Sequence, residues 1–112
     1  MTVTMKTLPY TAVTTSGAVL DVQFELHPET ASPERVGEML SAFLNALDVQ
    51  IEGGQVTANG DILQALAMAL ALRSEMLPAA ASMKAALARD VLDRALASVA
   101  KAGHGRSPVG HG

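Results

Sequence analysis

Cysteine is absent from this chain, which excludes disulfides, thiolate nucleophiles and any zinc or iron–sulfur site built on thiolate ligands. Stability must then come from packing alone, and a cysteine-free chain suits a reducing compartment, so the cytoplasm is the expected location. Aromatics are nearly as scarce, with two Phe, one Tyr and no Trp. Stacking on bases or sugars is not expected of such a surface. A long hydrophobic run is missing as well. The longest, residues 62–72, is interrupted by Gln64 and falls well short of the roughly 20 residues that cross a bilayer. It reads as a core helix, and no membrane association is expected. The first residues, Met1-Thr2-Val3-Thr4-Met5-Lys6, lack a basic region followed by an apolar run, so no secretory leader is expected.

What is present is the composition of a globular protein. Of 112 residues, 49% are hydrophobic, too many for a disordered chain, and the length suits one domain. We read a single α+β domain over residues 1–102 and a flexible polar tail over 103–112. The alanine-rich helices point to a bacterial origin. The net charge of −3 is unevenly spread. Residues 1–60 carry seven acids against Lys6 and Arg35, and residues 61–112 carry four acids against six bases. Those bases alternate with Glu75, Asp90 and Asp93, so no basic stripe forms and nucleic acid is not an expected partner.

Leu20, Val22, Phe24 and Leu26 alternate with Asp21, Gln23, Glu25 and His27, the period-2 signature of a half-buried strand. Residues 10–14 precede it, and Thr15-Ser16-Gly17 offers a turn, so a hairpin is predicted, with Pro9 tolerated at an edge. Ser32-Pro33-Glu34 then supplies an N-cap, a proline at the first helical position and an acid facing the helix dipole. Val36, Met39, Leu40, Phe43, Leu44 and Leu47 follow helical spacing and form one apolar face. Residues 49–57, with Gly53-Gly54 at the centre, read as a second short hairpin through a type I′ turn.

A second helix begins near Asn59 or Asp61, either of which can cap it, and its apolar residues cover most of the circumference. Pro78 separates it from a third helix over residues 79–101, whose apolar face is Met83, Leu87, Val91, Leu92, Leu96 and Val99. Arg89, Asp90, Asp93 and Arg94 form a solvated face of i, i+4 pairs. The expected fold is therefore a small two-layer α+β sandwich, an antiparallel sheet of two hairpins with helices on one face, in the order ββαββαα.

The chemistry-bearing groups are few. His27 ends the best strand and shares its outward face with Glu25, which makes the pair weak candidates for acid–base work, with Arg73 as a third polar group that a pocket between sheet and helices could gather. A wet sheet face ending in a histidine accounts for the same residues. His104 and His111 lie among glycines with no fixed carboxylate, so no metal site and no cofactor is expected. Gly53-Gly54 lacks the spacing of a phosphate-binding loop. No serine lies in a GxSxG elbow.

The most informative anomaly is the helix that starts near residue 62. A helix apolar all round must be covered on more than one side, and a second copy of the chain, most simply a dimer, is one way to do it. Met68, Leu72, Met76 and Met83 are the expected interface residues, methionine supplying adaptable contacts. An unidentified protein partner is the other way, and complete burial within one chain the third. The expected function is a non-catalytic, self-associating binding or accessory protein; the alternative is a small enzyme or small-molecule-binding protein with a pocket near His27.

Overall fold

The computed structural model describes residues 6–13, 17–53 and 56–102. They form two strands and three helices in the order β1 (Thr7–Val13), β2 (Val19–Glu25), α1 (Pro33–Ile51), α2 (Asn59–Glu75) and α3 (Ala81–Ala100). The chain divides into two compact units, Met1–Gly37 with Val91–Gly112, and Glu38–Asp90. Among the described residues no helix is long and apolar enough to cross a membrane.

In the first unit β1 and β2 pair antiparallel, with Leu8 opposite Phe24, Tyr10 opposite Val22 and Ala12 opposite Leu20 on one face. Val22 is the single buried apolar side chain among the described residues, and the Tyr10 and Phe24 rings lie 6.5 Å apart and tilted on that face. The Leu26 N–H donates to the Lys6 carbonyl at 2.8 Å, which extends the ladder by one pair. Counting back by twos from that bond leaves Pro9 at a position whose N–H would have pointed away from β2, so the proline removes no ladder bond. Gly17, at φ +90°, takes the left-handed conformation that closes the hairpin at low steric cost; Thr15 and Ser16 lie outside the described residues.

The N-terminus of α1 is built as its sequence implies. The Ser32 hydroxyl accepts the Arg35 N–H at 3.1 Å, and the Ser32 carbonyl accepts the Val36 N–H. Gly37 lies where α1 passes Leu8: a Cβ there would stand 3.4 Å from the leucine Cδ1.

The expected second hairpin is not formed, and the order is ββααα rather than ββαββαα. Residues 49–51 are the last turn of α1, which the Glu52 N–H extends by donating to the Asp48 carbonyl at 2.9 Å. Val49 and Ile51 favour strands by side-chain shape, but the i→i+4 ladder already running through Leu44 and Leu47 holds them, and a strand of three residues has little to pair with. The described part of residues 52–58 is turn and coil, and Gly54 and Gln55 lie outside the described residues.

The second unit holds most of α1, all of α2 and the first half of α3. The expected side-chain cap of α2 is absent: Ala58 occupies the N-cap position with extended backbone, and Asn59 and Asp61 fall inside the helix. Arg73 sits in the last turn, where its charge meets the negative end of the helix dipole. Met76 closes the helix, its N–H donating to the Arg73 carbonyl at 3.2 Å, and the Leu77 N–H donates to the Ser74 carbonyl at 3.1 Å. Lys84 Nζ donates to the Glu75 backbone carbonyl at 3.1 Å and to both oxygens of its carboxylate, Oε1 at 3.2 Å and Oε2 at 3.5 Å, which ties α3 to the end of α2.

Helix faces depart from the expected ones in a consistent way. In α3 the covered stripe is Lys84, Ala88, Val91, Ala95 and Ser98, spaced i, i+4, i+7, i+11 and i+14, whereas Met83, Leu87, Leu92, Leu96 and Val99 are exposed. Small residues let a helix backbone approach its neighbour closely, and the larger side chains are displaced to the flanks. In α1, likewise, Val36, Leu40, Leu44 and Leu47 are half-buried while Met39 and Phe43 are exposed.

Candidate functional site

The polar candidates all take part in local structure. The Glu25 carboxylate accepts from Arg94 Nη1 at 3.2 Å, and the Glu25 backbone N–H donates to Ser98 Oγ at 2.9 Å. Ser98 Oγ in turn donates to the Arg94 carbonyl at 2.8 Å. Glu25 falls at a ladder position whose N–H points away from β1, and α3 supplies the acceptor that β2 lacks on that edge. Arg94 is thus not part of a solvated face, as its i, i+4 pattern implies, but is drawn to the strand.

His27 closes the turn after β2. Its carbonyl accepts the N–H and the hydroxyl of Thr30, at 3.0 and 2.7 Å, and its ring Nδ1 accepts the Glu29 N–H at 3.0 Å. The Lys6 ammonium donates to the Thr30 carbonyl at 2.7 Å, which pins the same turn. Glu25 and His27 share the first unit, but the bonds of each run elsewhere, the carboxylate to α3 and the ring to its own turn. Arg73 belongs to α2 in the second unit. A hollow of about 180 Å³ in the hairpin is lined by Pro9, Tyr10, Thr11, Asp21, Val22 and Gln23. His27 and Glu25 do not line it, and its wall is braced by a 2.6 Å bond from the Thr11 hydroxyl to Asp21.

Sequence reasoning missed Ser98, which is 5% exposed and one of two buried side chains among the described residues. The available signal was Ser98-Val99-Ala100-Lys101, the Ser-x-x-Lys spacing of some acyl-transfer enzymes. Its setting is wrong for that chemistry. The hydroxyl is committed to Arg94 and Glu25, and it lies in the last turn of α3, whose negative dipole end opposes a developing alkoxide. No group of three or more His, Asp or Glu that could hold a metal occurs among the described residues; His104 and His111 lie outside them.

The remaining candidates lie on α2, which has no buried residue at all. At 100° per residue, half-buried Ile62, Leu70, Ser74 and Leu77 fall on one side. Met68, Leu72 and Met76, at i, i+4 and i+8, form a stripe roughly opposite and are 58, 67 and 69% exposed. Ala65 and Ala69 lie between them on the same face, also exposed. Met83, just beyond the Pro78 turn, is 64% exposed. The side of α2 that holds the half-buried residues is covered only in part, since Leu63 there is as exposed as Leu72, at 67%, and Leu66 is 43% exposed. Compared with protein-family models, characterised proteins and solved structures, the chain matches none.

Proposed function

We propose that this chain is a non-catalytic, self-associating binding or accessory protein that works through the apolar surface of α2. The observation that carries the reading is the Met68, Leu72 and Met76 stripe: three large apolar side chains in register at i, i+4 and i+8, each more than half exposed, on a helix whose half-buried residues lie elsewhere on its circumference. Scattered exposed apolar residues are ordinary, but a contiguous stripe on a regular element marks a contact surface. The reading with a pocket near His27 has less support, because the ring and the Glu25 carboxylate are engaged in holding the turn and the strand edge.

Light scattering across micromolar to millimolar concentrations tests this. The expected mass lies above the 11.6 kDa of one chain and rises with concentration, and Leu72→Glu returns it to one chain with an unchanged helical circular dichroism spectrum. A parent protein that stays at 11.6 kDa throughout refutes the proposal.

A further inference from the structure

We infer that the occupant of the stripe is a second copy of this chain, its α2 lying antiparallel to the first across a two-fold axis at Leu72. This rests on the self-association proposed above and adds its geometry. The stripe is symmetric about Leu72, with a methionine four residues to either side, so a two-fold rotation lays Met68 of one copy on Met76 of the other. Helices in contact run 8–10 Å apart, and Leu72 then meets its own copy at the centre. A parallel pair would set two helix C-termini, each with about half a negative charge, and two Glu75 carboxylates at one level. The antiparallel pair separates the two Glu75 residues by about 9 Å along the axis.

Met68, Leu72 and Met76, with Ala65 and Ala69, leave on the order of 450 Å² of apolar surface per chain at their exposures, somewhat over half of the roughly 800 Å² per partner in a standard interface, which suits an association that rises with concentration. The chain's own end is a poor alternative cover, since Val109 is the sole aliphatic side chain in residues 103–112.

The absence of cysteine makes the test clean, because introduced thiols are the sole ones present. Leu72→Cys, Leu63→Cys, Met68→Cys and Met76→Cys are oxidised in a glutathione buffer, and disulfide-linked dimer is measured over time. Leu72→Cys is expected to cross-link at least tenfold faster than Leu63→Cys, a residue equally exposed at 67% but on another side of α2. A mixture of Met68→Cys and Met76→Cys is expected to link across types, while each alone links slowly. Like positions there stand about 12 Å apart along the axis, beyond the roughly 7 Å Cα separation a disulfide spans. Equal rates for all variants overturn the inference, and so does self-linking of Met68→Cys and Met76→Cys without cross-linking of the mixture. A dimer by light scattering with slow Leu72→Cys linkage overturns this geometry and leaves self-association standing; a monomeric parent removes both.

Discussion

Replacing Ser98 by alanine removes the acceptor for the Glu25 N–H at a site only 5% exposed. Leaving that donor unpaired costs about 1–3 kcal/mol. The carbonyl of Arg94 also loses the Ser98 hydroxyl, but it retains its place in the α3 backbone ladder, so that loss is small. Alanine's better helix propensity returns about 0.5 kcal/mol. The net expectation is a destabilisation of about 1–2 kcal/mol, or roughly 5–10 °C in Tm for a domain of this size. Urea and thermal unfolding followed by far-ultraviolet circular dichroism measure it, at one fixed protein concentration because the proposed self-association would make stability concentration-dependent. Ser82→Ala, at an exposed position of the same helix, is the control and should stay within about 0.5 kcal/mol of the parent. A Ser98→Ala protein as stable as its parent would refute the view that α3 supplies the missing acceptor of β2.

Three further substitutions probe the local readings. Ala58→Asp places a side-chain cap on α2 where none exists and should stabilise by about 1 kcal/mol, seen as a raised urea midpoint. Gly37→Ala should stabilise by about 0.5–1 kcal/mol, because alanine is the better helix former and its Cβ meets Leu8 at 3.4 Å, an ordinary contact; a lowered Tm would mean that α1 and β1 cannot take even a methyl group between them. Gly17→Ala should destabilise by about 1 kcal/mol despite open space around it, since its φ of +90° strains any L side chain; unchanged stability would show that the hairpin closes in another conformation.

Much of this protein was legible in the residues themselves, wherever a signal was local. Alternation from Leu20 onward with a glycine before it specifies the hairpin, and Ser32-Pro33 starts α1, because strand period and helix caps act over a few residues. Pro78 ends one helix and permits the next for the same reason. Locality also misled: Gly53-Gly54 between β-branched residues has the form of a hairpin, yet cooperative extension of α1 claimed Val49 and Ile51 first. Which side of a helix is covered was decided by tertiary structure alone. Periodicity shows that α3 has apolar and small residues at helical spacing, but whether leucines or alanines face inward depends on how closely a neighbour approaches. The role of Ser98, and the pull of Arg94 toward Glu25, need a strand 69 or more residues away in sequence and could not be read from α3. The sequence thus determined where elements begin and what each could bury, since those are properties of neighbouring residues; the tertiary structure decided which faces were buried and left the Met68, Leu72 and Met76 stripe exposed, because burial depends on contacts between segments distant along the chain.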